Sequence, residues 1–112
     1  MQPIDVAALH DLVASTRSDS PALLLDVREP WEVALGQIEV SGADHLAVPM
    51  NHIPQRLDEL DRTRTVVCIC HHGMRSAQVA AFLERQGFGS VYNLTGGTDA
   101  WSAQVDPRLP RY

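Results

Sequence analysis

Hydrophobic residues fall along the chain with two periods, one suited to helices and one to buried strands. Val6, Leu9, Leu12 and Val13 recur at helical spacing behind Asp5, a good capping residue, and predict a helix over residues 5–14. The apolar run Ala22-Leu23-Leu24-Leu25, ending at Asp26-Val27-Arg28, has the pattern of a strand buried on both faces. Pro30 near a start and Gly36 at a stop mark a helix of one or two turns over 29–36. Residues 41–47 carry no clean period, and a short strand is expected around Leu46, Ala47 and Val48, closed by Pro49. Ile53, Leu57 and Leu60 predict a further helical stretch over 52–60.

The run over 65–69 is the predicted central strand. Residues 76–86 form the strongest predicted helix, with Val79, Phe82 and Leu83 on its apolar stripe and alanines filling close contacts. Gly87 ends it, and Phe88 packs back on Leu83 as the hydrophobic contact of a glycine-terminated helix. A last strand follows over 90–93, then a tight turn at Gly96-Gly97 and a short helix over 98–103 carrying Trp101. Short apolar strands alternating with helices predict a mostly parallel sheet covered on both faces. Ligands of such sheets bind beyond the carboxyl ends of the strands, where Cys70 stands after one strand and Asp26 and Arg28 after another.

A chain of 112 residues with 45% hydrophobic content holds one core, so residues 1–112 are taken as one domain, with its core over about 5–103 and an irregular tail over 104–112. The net charge of −5 argues against nucleic acid or an anionic membrane as a partner. All 9 cations are arginines, which excludes lysine Schiff-base chemistry. Met1 to Val6 lack the basic-then-apolar order of a secretory signal, and no apolar run is long enough to span a bilayer. The expected setting is cytoplasmic and reducing, which suits a free thiol. The 2 cysteines make no disulfide framework, and in an extended strand Cys68 and Cys70 would lie about 6.6 Å apart, at the edge of what a disulfide tolerates.

The chemistry concentrates in Cys70-His71-His72-Gly73-Met74-Arg75-Ser76. A glycine-containing turn between a buried strand and a helix start aims successive N–H groups and the positive helix end at one point. That field favours a thiolate and then whatever negative group the sulfur next carries, a persulfide or a bound oxyanion. Arg75 adds a forked cation suited to an oxyanion.

Four landmarks occur in order: Asp26-Val27-Arg28-Glu29, then Gly36-x-Ile38 with Gly42-Ala43 behind it, then Cys70-x-x-Gly73-x-Arg75-Ser76, and finally Gly96-Gly97-x-x-Ala100-Trp101. In these the chain resembles the single-domain rhodanese-like sulfurtransferases over roughly residues 23–101. The resemblance implies a doubly wound α/β domain around a five-stranded parallel sheet. It also implies a two-step transfer without metal or organic cofactor, in which Cys70 takes the outer sulfur of a small anionic donor such as thiosulfate, or of a protein-borne persulfide. Cys70 then passes that sulfur to a thiophilic acceptor, cyanide or a thiol. His71, His72, Gly73, Met74, Arg75 and Ser76 would hold the terminal sulfur and the donor's oxyanion, with Asp26 and Arg28 in support.

Protein phosphatases and arsenate reductases of related fold place arginine six positions after the nucleophile, whereas here Ser76 holds that place and Arg75 falls one earlier, giving a tighter loop. The chain departs from the family pattern in reading Gly36-Gln37-Ile38 for Gly-His-Ile, and in three or four extra residues between Ile38 and Pro49, expected to bulge beside the site. His71 follows the cysteine where efficient thiosulfate users often carry a basic residue, and a histidine is only partly charged near neutral pH.

Each signal has a plainer alternative. Cys68 is expected to be inert core, and Cys68, Cys70, His71 and His72 at one strand end do not close a metal tetrahedron. Arg28 is expected to pair with Glu29 or Glu32, and Asp26 to accept from loop N–H groups. Trp31 and Trp101 are expected in the core, and His10, His45 and His52 at the surface. The competing function is a non-enzymatic binding or redox-sensing module that uses the same loop.

Overall fold

The computed structural model describes residues 1–112. Five parallel strands form one sheet in the order β1-β5-β4-β2-β3: β1 (Gln2–Asp5), β2 (Leu23–Asp26), β3 (Asp44–Ala47), β4 (Val66–Ile69) and β5 (Val91–Thr95). Four α-helices accompany them: α1 (Leu9–Ala14), α2 (Pro30–Leu35), α3 (Met74–Arg85) and α4 (Gly97–Gln104). The stretch predicted as a helix over 52–60 is built from two 3-10 helices, Met50–His52 and Pro54–Glu59, with Ile53 and Leu60 buried as the pattern requires.

Strand period divides the core in two. On one face Leu23, Leu25, Val66 and Cys68 pack against Val79, Ala80 and Leu83 of α3 and against Ile53 and Leu60. On the other, Leu24, Val67, Ile69 and Leu94 pack against Leu9 and Val13 of α1 and Trp101 of α4. Residues adjacent in a strand thus bury on opposite faces, which is why β2 and β4 are apolar at every position up to Asp26 and Ile69. Phe88 packs in the first cluster beside Leu83, and its N–H donates to the Leu83 carbonyl past Gly87.

The sequence misses β1. Gln2-Pro3-Ile4-Asp5 contains one aliphatic residue and pairs only with β5, at the sheet edge, so it carries no burial pattern to read. The predicted helix over 5–14 is a 3-10 turn over Val6–Ala8 followed by α1, and the Asp5 side chain caps nothing. The strand expected around residue 46 begins at Asp44, because its register with β2 pairs Leu23 with Asp44 while Asp44 and His45 are exposed.

The extra residues between Ile38 and Pro49 do not bulge beside the site. They run to the amino edge of the sheet, where Gly42 faces Val13, the Asp44 N–H donates to the Ala22 carbonyl at 2.9 Å, and Asp44 pairs with Arg64. The tail over 104–112 has no helix or strand beyond Gln104, yet it is packed: Leu109 is buried, and its carbonyl accepts from Ser102 Oγ at 2.6 Å. No helix is long and apolar enough to cross a membrane.

Candidate active site

Cys70 follows β4 directly, at the carboxyl edge of the sheet. Within β4 the backbone is committed to the ladders with β2 and β5. Past Ile69 the chain turns, and its amides become free to point at a side chain. Gly73 makes the turn in a left-handed conformation (φ 101°), and a Cβ there would press on the Gly96 N–H and the Leu94 carbonyl. α3 starts at the next residue.

Gly73 has no side chain with which to cap α3, and the sulfur of Cys70 takes that place. Sγ accepts from Gly73 N at 3.0 Å and Ser76 N at 3.4 Å, and lies 3.2 Å from Ser76 Oγ. These are the capping position and the third residue of α3, the amides that a helix start leaves without intrahelical partners. The amides of His71, His72, Met74 and Arg75 donate to no group of the protein, so the loop keeps open donors beyond those on the sulfur. Among the amides from His71 to Ser76, which the resemblance implies would hold the terminal sulfur of a persulfide, those of Gly73 and Ser76 reach Cys70 Sγ itself.

Two elements lock the loop from outside. Asn93 of β5 donates through Nδ2 to the Gly73 carbonyl at 3.0 Å, while its Oδ1 lies 2.5 Å from Ser76 Oγ. The start of α4 donates Thr98 N to the Cys70 carbonyl at 2.9 Å and Asp99 N to the His71 carbonyl at 3.1 Å. Gly97 (φ 58°) is what allows this approach, since a Cβ would collide with both carbonyls. Trp101 is buried beneath α4 and stacks on His10.

Arg75 reaches back to Glu32 in a two-pronged ion pair, Nη1 to Oε1 at 2.6 Å and Nη2 to Oε2 at 2.8 Å. Glu32 is buried and fully bonded: it also accepts from Glu29 N at 3.0 Å and from the Tyr112 hydroxyl at 2.6 Å. The Arg75 bond, against the cost of burial, holds its carboxyl down at about 2. The same bond raises Arg75 above its ordinary value.

Asp26 and Arg28 act differently from the sequence expectation. Asp26 accepts from no loop amide; its carboxylate takes Arg28 Nε at 2.9 Å, Arg28 Nη2 at 2.7 Å and the Arg28 N–H at 3.1 Å. Arg28 pairs with neither the Glu29 nor the Glu32 carboxylate, because it turns inward to Asp26, two residues back, while the Glu32 carboxylate is taken by Arg75 and Tyr112. Its remaining donors go to the Glu32 carbonyl in α2 (3.3 Å), to the Gly36 carbonyl just past it (2.7 Å) and to the Tyr112 hydroxyl (3.3 Å). The buried pair therefore fixes α2, and α2 presents Glu32 to Arg75.

His71 is half-buried, with its ring 3.9 Å from His72 on one side and 3.9 Å from Tyr112 on the other. Burial first, then the neighbouring His72, pushes its pKa below the ordinary value, which favours the neutral ring. Met74 is exposed, as is Trp31, at 62%; Trp31 lies against the edge of Tyr112 rather than in the core. His45 and His52 are exposed. The histidines and cysteines here do not gather into a ligand set, and no group of three or more His, Cys, Asp or Glu side chains anywhere in the molecule is placed to hold a metal. Glu32, Asn93 and Tyr112 carry no motif or spacing that would mark them as site residues.

The rhodanese-like domain family matches residues 6–104. A sulfurtransferase of Allochromatium vinosum is 42% identical over 99 residues, covering 88% of this chain and 86% of that protein. A thiosulfate sulfurtransferase of Stutzerimonas stutzeri is 36% identical over 89 residues, covering 79% of this chain and 77% of that one. The crystal structure of a rhodanese-like domain protein from Staphylococcus aureus superposes with a TM-score of 0.77 at 29% identity, covering 100% of this chain and 99% of that one.

Proposed function

The chain belongs to the rhodanese-like domain family, and from that premise we propose that it is a sulfurtransferase whose carrier is a Cys70 persulfide. The observation that carries this reading is the convergence of two backbone amides and a serine hydroxyl on one sulfur, in a loop with further amides that have no partner in the protein. Such a cradle stabilises a negative sulfur before and after it accepts a second one.

With thiosulfate as donor, the Cys70 thiolate attacks the outer sulfur. The S–S bond of the donor breaks, sulfite leaves with the electron pair, and Cys70 carries a persulfide. The terminal sulfur, one bond further out, meets the amides of His71, His72, Met74 and Arg75. Cyanide or a thiolate then attacks that terminal sulfur, the Cys70 S–S bond breaks, and the thiolate is restored with thiocyanate or an acceptor persulfide as product. No step needs a cofactor. The thiosulfate donor is supported by the name of the Stutzerimonas relative and by the loop's affinity for anions.

Intact mass spectrometry after incubation with thiosulfate, repeated with 3-mercaptopyruvate, tests this. One added sulfur that cyanide removes is expected on the native chain and not on Cys70→Ala. No added sulfur with either donor would move the assignment to a protein-borne persulfide donor or to a binding or redox module.

A further inference from the structure

The segment after α4 brings one aromatic residue onto the loop. The Tyr112 ring stacks on His71 nearly parallel, at 10° and 3.9 Å. Its hydroxyl stands between two charged groups: the oxygen accepts from Arg28 Nη1 at 3.3 Å, and the hydrogen goes to Glu32 Oε2 at 2.6 Å. That same Glu32 oxygen accepts from Arg75 Nη2. The backbone beside it is tethered too, by Arg111 on Asp99 at 3.0 Å and by buried Leu109 against Gly36. Tyr112 thus touches the residue after the cysteine, the carboxylate that grips the loop arginine and the buried Arg28.

We propose that Tyr112 is a positioning residue that sets how strongly the Cys70 loop attracts an anionic reagent. This rests on the sulfurtransferase reading for its substrate and on geometry alone for its placement. The charge of Glu32 governs how much of the Arg75 field reaches the loop. With Tyr112 in place, that charge is shared between Arg75 and, through the hydroxyl, Arg28. Without the hydroxyl only Arg75 and the Glu29 N–H offset it, and more of the guanidinium's field is spent on the carboxylate and less reaches the loop. Removing the ring as well frees the His71 imidazole from its stack, and the first residue of the cradle loses its fixed plane.

Charge selectivity at Cys70 tests this independently of sulfur transfer. Second-order rates of Cys70 alkylation by anionic iodoacetate and neutral iodoacetamide would be measured for the native chain, Tyr112→Phe and Tyr112→Ala. The iodoacetate-to-iodoacetamide ratio is expected to fall roughly fivefold in Tyr112→Phe and about tenfold in Tyr112→Ala, with the iodoacetamide rate within about twofold. In thiosulfate–cyanide assays the same loss should raise KM with kcat little changed, and Phe should restore part of what Ala loses. An unchanged ratio in both variants overturns the proposal, even if their melting temperatures fall, because that is what a merely structural residue would show. A shifted ratio in a protein that accepts no sulfur from thiosulfate leaves Tyr112 assigned and removes the donor instead.

Discussion

Cys68 and Cys70 sit two residues apart, one inside β4 and one just past it, in the same hydrophobic cluster, and are 0% and 1% exposed. Burial does not distinguish them; the backbone around them does. Cys68 lies inside β4, where its neighbours' amides run sideways into the ladders with Leu25 and Asn93, so its sulfur meets carbon and no donor. Burial, with Cys70 close by, pushes its thiol up to about 12. Cys70 lies just past the ladder, where the chain turns and the amides of Gly73 and Ser76 swing onto its sulfur. A thiol in a core becomes a candidate nucleophile where strand pairing stops and helix capping begins.

The sharpest way to break this comparison is to remove one sulfur at a time while keeping the shape. Cys70→Ser keeps a small polar side chain in the cradle but removes the sulfur, and sulfur transfer should drop by at least ~10³-fold, as for loss of other nucleophiles. Cys68→Ser should leave transfer within about twofold and cost roughly 1–3 kcal/mol of stability, because its hydroxyl is buried without a partner. Steady-state transfer assays beside urea unfolding of both variants check the pair. Comparable activity losses in the two would show that the distinction drawn from hydrogen bonding is false.

The support for the cradle sharpens the comparison at a second level. Cys68 needs nothing outside the core, whereas the Cys70 loop depends on the chain from Asp26 through Arg28 and α2 to Glu32 and Arg75. The Glu32 carboxyl is held at about 2 in the folded protein against an ordinary 4.5. Its pKa is depressed on folding, so its contribution to stability is present above pH 4.5 and is lost as pH falls toward 2. A shift of that size corresponds to about 3 kcal/mol. Unfolding free energies of the native chain and Glu32→Gln, measured by urea from pH 7 down to pH 3, should therefore converge as pH falls. The other depressed carboxylates are common to both proteins and cancel in the difference. Parallel curves would mean that Glu32 does not carry the acid-labile part of the stability.

Spacing made the loop legible in the sequence, because capping and anion binding at a strand-to-helix turn are local: everything from Cys70 to Ser76 acts within seven positions. The two-faced core was legible for the same reason, since β2 and β4 announce themselves as unbroken apolar runs. What escaped was long-range or unpatterned. Tyr112 meets Glu32 from 80 positions away in a tail with no periodicity. Glu32 looked like one more charge on a short helix, and only its burial against Arg75 reveals otherwise. Trp31 looked like core by its chemistry, yet it is held at the surface by the edge of Tyr112. β1 is an edge strand with a proline and one aliphatic residue, and its existence follows from pairing with β5 rather than from its own composition.

The finest test concerns the third donor on the Cys70 sulfur. Ser76 Oγ lies 3.2 Å from Sγ and 2.5 Å from Asn93 Oδ1, and a hydroxyl has one hydrogen to give. While Cys70 is a thiol, its S–H points to the serine oxygen and the serine hydrogen goes to Asn93. Once the sulfur is anionic, the serine hydrogen is worth more on sulfur, and Asn93 Oδ1 gives it up while Nδ2 keeps hold of the Gly73 carbonyl. Ser76→Ala should therefore slow Cys70 alkylation by iodoacetamide at pH 7 about fivefold to tenfold, the effect of about 1 kcal/mol, while the two amides remain in place. Asn93→Ala frees the serine hydrogen for sulfur but loosens Gly73, so it should slow alkylation less than Ser76→Ala if the hydroxyl matters in its own right. Equal rates for Ser76→Ala and the native chain would reduce the difference between Cys70 and Cys68 to two backbone amides at the start of a helix.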